Sequence, residues 1–206
     1  MRKKFHLITY ALWLLFFKTK NNIFTYLLHI KLYLNDVRFN KNLKAVNGIP
    51  SIHIHHKATK CQFGNNVILR SYMDVSWSTR TDITVKRDAT LVIGNYTGIS
   101  GSLIYCSNRI EIGNNVMIGG GCRIFETDFH PIEATRRTDP KTVNDGKSAP
   151  VIIEDNVFIG TNSIIGKGIR IGNGAVVAAG SVVVKSIPAN EIWGGNPAKF
   201  LKKIEQ

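Results

Sequence analysis

The chain has 206 residues, 44% of them hydrophobic, which is enough to bury a sizeable core in one main domain. Its three cysteines form neither a CxxC pair nor an even-numbered framework, which excludes a disulfide-built secreted scaffold. The formal net charge is +13, and residues 1–60 hold eleven Lys or Arg against one acid. The basic character is therefore a local feature of the N-terminus.

Residues 1–46 predict a helical segment that is separate from the rest of the chain. The first apolar stretch, Phe5–Phe17, would span about 20 Å as a helix, whereas a bilayer core is about 30 Å thick. The second stretch, Ile23–Leu34, is interrupted by Lys31. The pattern favours a helical hairpin that contacts an anionic membrane face through residues 1–40. The alternative is that these helices pack on the remaining domain or on a neighbouring subunit.

A secretory signal and a nucleic-acid-binding segment fit the N-terminal residues less well. A secretory signal needs a small-residue cleavage site after the apolar stretch, and none follows. A nucleic-acid-binding protein would interleave its basic residues with aromatic ones along a groove, whereas here they stand among apolar residues. We therefore expect a membrane surface rather than a nucleic acid as the partner.

Regular structure is predicted to begin near Ile52, after a linker. A compact tract of His53, His55 and His56 could bind a metal ion on a strand, but no acid or cysteine stands beside it. A solvated strand face is the favoured interpretation. Trp77 lies in an irregular stretch and has no assigned role.

The most regular part of the chain is Val151–Lys185, where aliphatic residues recur every six positions. The series is Ile153, Ile159, Ile165, Ile171, Val177 and Val183. A period of six fits neither an amphipathic helix nor an alternating strand. Each hexapeptide predicts one short strand and one turn, and three of them close a triangular coil whose neighbours bury a shared column. The prediction is an all-β parallel β-helix over residues 47–190.

Earlier coils are predicted around two shorter series, Ile93-Ile99-Tyr105 and Ile112-Ile118-Ile124, with one extra residue between them that implies a bulge. The pattern then stops over residues 125–150 and resumes at Val151. A polar loop of this length inside a strict repeat is usually functional. Residues 191–206 are predicted to cap the coils, ending in a short Lys-rich helix.

One histidine, His130, lies within or beside the regular coils, and it stands in this loop. A neutral imidazole can take a proton near pH 7, and Pro131 stiffens the backbone next to it. Glu126 and Asp128 could orient the imidazole or remain solvated loop acids, and the solvated state is favoured.

The repeat, the segment Thr127–Pro131 and the segment Asn196–Lys199 resemble the hexapeptide-repeat acyltransferases. The subgroup is that of sugar and capsular polysaccharide O-acetyltransferases, similar to maltose and galactoside acetyltransferases. The resemblance covers residues 52–203 loosely and 112–200 closely. It implies a left-handed β-helix, acetyl-CoA as co-substrate without a metal, a homotrimer with active sites between subunits, and a cytoplasmic enzyme.

The resemblance also assigns roles to particular residues. His130 matches the family's general base, Phe158 stands where several members have Trp, and Ser100 stands near an Asn of many members. Asp128, Phe158 and Ser100 are therefore expected on the acceptor side. The residues expected to contact CoA, through backbone groups or charge, are Gly160, Thr161, Ala178, Ala179, Ser181, Lys185, Asn196 and Lys199.

The expected function is acetyl transfer to a sugar hydroxyl of a cell-surface polysaccharide or its lipid-linked precursor. An antibiotic acetyltransferase of the same fold is the alternative, because Gly194–Lys199 also matches that group. A non-catalytic β-helix is less favoured. So is a zinc enzyme like the γ-type carbonic anhydrases, which uses three histidines from adjacent coils, because five of the six histidines here precede the regular coils.

Overall fold

The computed structural model describes residues 2–71 and 79–205, with side chains from residue 15 onward. Trp77 lies outside the described residues. The described part forms three sheets, and we number its strands β1 to β19 along the chain.

From β1 to β17, neighbouring strands of a sheet are three apart in the chain, so each coil contributes one strand to each sheet. Sheet A consists of β3 (Lys60–Phe63), β6 (Thr90–Ile93), β9 (Arg109–Ile112), β12 (Val151–Ile153) and β15 (Arg170–Ile171). Sheet B consists of β1 (Lys44–Val46), β4 (Ile68–Arg70), β7 (Gly98–Ser100), β10 (Met117–Ile118), β13 (Phe158–Ile159), β16 (Val176–Val177), β18 (Glu191–Gly194) and β19 (Lys199–Lys203). Sheet C consists of β2 (Ser51–Ile54), β5 (Asp82–Val85), β8 (Leu103–Cys106), β11 (Arg123–Phe125), β14 (Ile164–Ile165) and β17 (Val182–Val183).

The mostly-β prediction with parallel sheets is confirmed. Matching members of the six-residue series lie beside one another, as in the pairs Ile153 with Ile171 and Ile159 with Val177. The six side chains of the series are at most 1% exposed. Burial of a full aliphatic side chain contributes roughly 1.5–3 kcal/mol, so the stacked column stabilises coils that would be unstable singly.

The expected position of Tyr105 inside the column is wrong. Ile104 and Cys106 are fully buried, so Tyr105 between them points outward along β8. Ile124 pairs with Ile104 in sheet C, so the column runs from Ile99 to Ile104, one residue short of a full repeat, and the excess residues lie between Ile104 and Ile112. Gly101 turns at the shortened corner with φ 46°. The three cysteines are free and buried, and desolvation raises the pKa of Cys61 and Cys106 to about 12. These thiols belong to the core.

A single continuous helix, α1 (Arg2–Tyr33), replaces the predicted helical hairpin. Its C-terminal half packs across the first coil, where Leu28 and Leu32 are fully buried. The Thr25 hydroxyl accepts a hydrogen bond from the Ala45 N–H (3.0 Å), and the His29 ring bonds the Leu43 carbonyl (2.8 Å). The two predicted apolar stretches join because nothing between them breaks a helix and the coil end needs a cover. Within the described residues, no helix has an apolar stretch long enough to cross a bilayer.

The predicted C-terminal helix is also wrong, because β18 and β19 form an antiparallel pair instead. Strand β18 still adds to sheet B, with Val176 opposite Ile192. The chain then reverses near Gly195, whose φ is 101°, and β19 pairs back along β18. An edge strand has unpaired N–H and C=O groups, and the returning strand satisfies them where a helix would not.

The chain passes from sheet B to sheet C to sheet A in every coil, so it turns at three corners. We call these the B/C corner, the C/A corner and the A/B corner. The long loop after β11 leaves from the C/A corner, because the chain next enters sheet A at β12.

Candidate functional site

The loop of residues 126–150 is closed at its base and fixed to the coils. Thr127 and Ser148 form an antiparallel bridge, and the Asp128 N–H donates to the Lys147 carbonyl at 3.0 Å. A short helix, α2 (Ala134–Thr138), lies in its outer part. The loop is therefore an ordered excursion.

The carboxylates of the two loop acids bond to residues other than His130, although the His130 N–H donates to the Asp128 backbone carbonyl at 2.7 Å. Glu126 is fully buried, and its Oε1 accepts the backbone N–H groups of Ser107 and Asn108 from the preceding coil. Asp128 forms an ion pair with Lys167 of a following coil. Both acids thus anchor the loop to coils on either side, which corrects the expectation that they are solvated.

The His130 imidazole is oriented by a backbone carbonyl. Its Nδ1 lies 2.7 Å from the carbonyl oxygen of Val143. A carbonyl can only accept, so Nδ1 must carry the proton in this hydrogen bond. The neutral ring therefore presents an unprotonated Nε2, which is the state that a general base requires.

The backbone that carries His130 is held in an uncommon conformation. Among the described residues, eight of the ten non-glycine residues with positive φ are Asn or Asp, whereas Phe129 adopts φ 63° with an aromatic side chain. Such strain costs about 1–3 kcal/mol and persists where surrounding structure enforces it. Gly146 provides part of that enforcement, because a Cβ there would lie 2.5 Å from the Phe129 carbonyl carbon and 2.7 Å from the His130 nitrogen.

His130 lies at a cleft of about 580 Å³ on the C/A corner, and its side chain is exposed in the single chain. One wall is aromatic, with the rings of Tyr105 and Phe129 5.0 Å apart. Other lining residues are Lys86, Ser107, Asn144 and Ser148. The cleft can therefore offer a proton acceptor, a stacking surface and hydroxyl groups to a ligand.

Most of the predicted CoA-contacting residues lie at a different place, the B/C corner of later coils. There the backbone of Gly160 lies against Ala179, where a Cβ on the glycine would be 2.5 Å from the Ala179 nitrogen. The Gly180 N–H donates to the Thr161 carbonyl at 2.8 Å, and the Ser181 hydroxyl donates to the Ala178 carbonyl at 2.5 Å. The C-terminal turn joins this set, because the Gly195 N–H donates to the Ser181 hydroxyl at 3.2 Å.

The remaining predicted residues are divided between the corners. Lys185 follows β17 and lies at the C/A corner, away from the other CoA candidates. Asn196 and Lys199 are exposed on the turn and strand beyond Gly195. Ser100 ends β7 beside the B/C corner, and Phe158 is 46% exposed on sheet B. None of these five side chains lines the His130 cleft.

The sequence did not identify several residues of the candidate site. Tyr105 was placed in the core, and Gly146 looked like an ordinary turn glycine. Lys86 and Val143 carry no motif that separates them from other surface residues. The one usable signal was the spacing of Ile99 from Ile112, because it is one residue longer than two repeats and so leaves the inward residue between them open.

The described residues contain no group of three His, Cys, Asp or Glu side chains close enough to hold a metal ion. The histidine tract is divided, with His53 on β2 and the other two at the C/A corner, where the rings of His55 and His56 stack at 4.4 Å.

Comparison with known proteins identifies the repeat. A family model described as the hexapeptide repeat of succinyl-transferase matches residues 150–185. Protein CapG of Staphylococcus aureus is 48% identical over 96 residues, which cover 47% of this chain and 54% of CapG. The mitochondrial gamma carbonic anhydrase 2 of Arabidopsis thaliana is 31% identical over 149 residues, which cover 66% of this chain and 53% of that protein.

A solved structure with the same hexapeptide repeat is also similar to this chain. The hexapeptide-repeat-containing acetyltransferase VCA0836 from Vibrio cholerae superimposes with a TM-score of 0.52 at 32% identity, covering 56% of this chain and 64% of that one. The chain spans about half the length of the curated relatives it matches. Relatives of two chemistries share the repeat, so the reaction must follow from the side chains at the site. The repeat, the parallel coils and these relatives show that residues 150–185 carry the hexapeptide repeat and that the chain is similar to hexapeptide-repeat acetyltransferases.

Proposed function

We propose that this protein is an acetyl-CoA-dependent O-acetyltransferase that acts on a sugar hydroxyl, with His130 as general base. The observation that carries the proposal is the hydrogen bond from His130 Nδ1 to the Val143 carbonyl, which leaves Nε2 unprotonated at the cleft. Similarity to hexapeptide-repeat acetyltransferases supports the reaction class, and the aromatic wall of Tyr105 and Phe129 suits the flat apolar face of a sugar ring.

In the proposed reaction Nε2 takes the proton of the acceptor hydroxyl as its oxygen attacks the thioester carbonyl carbon. The new C–O bond forms a tetrahedral oxyanion, and backbone N–H groups are sufficient donors for it. When the C–S bond breaks, the imidazolium returns the proton to the thiolate, giving the acetyl ester and CoA. General-base assistance of this kind contributes about 10²- to 10⁴-fold to the rate.

The B/C corner fits the co-substrate because it exposes backbone with little side-chain bulk. Ala179 and Gly180 are exposed there, and Gly160 is buried against the Ala179 backbone, which holds it in place. A slender pantetheine arm could lie along such a surface, and the exposed Lys199 could meet phosphate groups.

We further propose a homotrimer of left-handed β-helices, as in the family that the sequence resembles. In one chain the proposed base and the proposed CoA residues occupy different corners, so a complete site requires the B/C corner of one subunit to approach the C/A corner of the next. Sheet B supports this arrangement, because Met117 and Phe158 are adjacent in register on its outer face and are 63% and 46% exposed.

The N-terminal helix supports a membrane-proximal acceptor at the cytoplasmic face. One side of α1 packs on the coils, while Phe16, Ile23 and Ile30 on another side are 67%, 54% and 40% exposed. The helix contains basic residues and no acid. An exposed apolar stripe flanked by Lys residues suits an anionic membrane surface, and a lipid-linked or cell-surface glycan would be presented there.

The decisive experiment is acceptor-dependent CoA release, with the acetylated product read by mass spectrometry across sugars and aminoglycoside-type drugs. His130→Ala should lower kcat about 10²- to 10⁴-fold without changing the circular dichroism spectrum. Thr135→Ala, an exposed substitution in the same loop, is the matched control and should retain full activity. Normal turnover by the His130→Ala variant would remove the assignment of the base.

A further inference from the structure

Three cavities follow one another along the C/A corner, from the end of α1 to His130. The first, of about 490 Å³, lies beside the end of α1 and shares His55 with the second, of about 430 Å³. The second shares Lys86 with the His130 cleft. We call these three neighbouring cavities together the basic groove. It crosses the adjacent strands β2, β5, β8 and β11, three strand spacings or roughly 14 Å.

The basic groove has a strong excess of positive charge. Its described lining contains four Lys or Arg and one acid, Asp36. The cationic lining residues are Lys31, Arg38, Lys60 and Lys86. These cations come from α1, the segment after it and two different coils, so the groove collects them from separate parts of the fold.

The histidine tract lies within this positive field. The pKa of His55 is lowered, first by desolvation and then by the positive charges of His56, Arg87, Lys86 and Lys57. Arg87 and Lys57 are exposed beside the groove. A site where cations lie together in this way is stabilised when an anion neutralises them.

We propose that the basic groove binds the acceptor as a glycan chain carrying carboxylate or phosphate groups, and delivers one of its hydroxyl groups to His130. This proposal rests on the proposed function. The groove begins at the helix that faces the proposed membrane surface and ends at the proposed base, as the track of an extended acceptor would. The negative groups contact the cations, while the reacting sugar lies against Tyr105 and Phe129.

The test measures binding without turnover, using the His130→Ala chain and two soluble probes. One probe is an oligogalacturonate, and the other is the same oligomer with its carboxylates methyl-esterified. We expect the charged oligomer to bind at least about ten-fold more tightly than the neutral one at low salt. Equal affinity for both probes, or tighter binding of a single-stranded DNA of equal charge, would overturn the proposal.

Charge-removal variants locate the binding. Lys60→Gln with Lys86→Gln should weaken oligogalacturonate binding about 5- to 20-fold. Lys41→Gln with Lys44→Gln is the matched control, since both side chains are exposed at the same end of the protein but outside the groove. The control should bind normally, and an equal loss in both pairs would indicate non-specific charge attraction and overturn the proposal.

Two further tests vary the length of the oligomer and add a small competing anion. Because Lys60 lies about three strand spacings from His130, Lys60→Gln should weaken binding of long oligomers and leave a monomer unaffected. Competition by inorganic diphosphate would assign the natural charge to phosphate, and its failure to compete would assign it to carboxylate. In the active chain, a raised KM for acetyl-CoA in the Lys60→Gln, Lys86→Gln variant would mean that the groove serves the donor, and the proposal would be wrong.

Discussion

At the scale of single residues, the site depends on how one imidazole is oriented. The Val143 carbonyl selects the tautomer of His130. Gly146 packs against the Phe129–His130 peptide and so fixes the backbone position from which the His130 side chain extends. Phe129 contributes its positive φ and its contact with Tyr105. No charged group holds the ring, because the loop acids are used to anchor the loop.

Gly146→Ala should disable the enzyme without unfolding it. The new Cβ would overlap the Phe129 carbonyl carbon and the His130 nitrogen, and a displacement of about 1 Å can cost about 10²-fold in rate. We expect kcat to fall by that order and the KM for acetyl-CoA to stay constant. Gly166→Ala is the control, because its Cβ would approach nothing closer than 3.7 Å. Unchanged kcat in Gly146→Ala would contradict the role given to this contact.

At the scale of elements, each corner of the coil has its own composition and role. The B/C corner is built from small residues, with exposed backbone at Ala179 and Gly180, whereas the C/A corner carries the loop, the cleft and the cations. The same six-residue unit produces both, because the inward residue alone is constrained by the core. The outward and corner positions are free to vary.

Ala179→Leu should interfere with acetyl-CoA and leave the fold intact. Ala179 is exposed above Gly160, so a larger side chain there would fill the proposed slot while meeting solvent on its other side. The expected result is a rise of about ten-fold or more in the KM for acetyl-CoA, equal to about 1.4 kcal/mol of binding free energy. Ala189→Leu is the matched control, because Ala189 packs against Gly172 at the A/B corner as Ala179 packs against Gly160. An equal rise in both variants would contradict the location of the slot.

Substitutions on the exposed side of α1 should affect membrane binding, and substitutions on its buried side should affect stability. Ile23→Ser, Leu27→Ser and Ile30→Ser together should abolish flotation with anionic vesicles, because these side chains are 54%, 42% and 40% exposed. The melting temperature should change little. Leu28→Ser, on the buried side, should instead lower the free energy of unfolding by about 2–5 kcal/mol. Wild-type protein that fails to float with anionic vesicles would refute the membrane contact.

At the scale of the whole molecule, the three faces of the coil stack differ in polarity. The outer face of sheet A carries charged residues, including the ion pair of Arg109 with Glu111 at 2.7 Å. Sheet B instead presents a row in which Ile68, Met117 and Phe158 occupy the same outward register. An apolar row beside the small-residue corner is the expected contact in a trimer whose sites lie between subunits.

Met117→Lys should dissociate the proposed trimer. Met117 is 63% exposed in the single chain, so its substitution leaves the core unchanged but places a charge in the proposed interface. Sedimentation velocity should show trimers of the wild type and monomers of the variant, with acetyl transfer lost because each site needs two subunits. A monomeric, active wild type would refute the shared site.

The sequence by itself determined the parallel coils, because a buried aliphatic residue every sixth position leaves few other ways to hide the column. It also indicated the loop of residues 125–150 and the histidine within it. The tertiary structure decided which acids anchor that loop, that Tyr105 faces outward, and that the two apolar N-terminal stretches form one helix. It also brought the cations of the basic groove together from α1 and two coils. The six-residue period depends only on which side chains the core must bury. Corner contacts, ring orientation and charge clusters form between residues far apart in the chain, so no local sequence pattern predicts them.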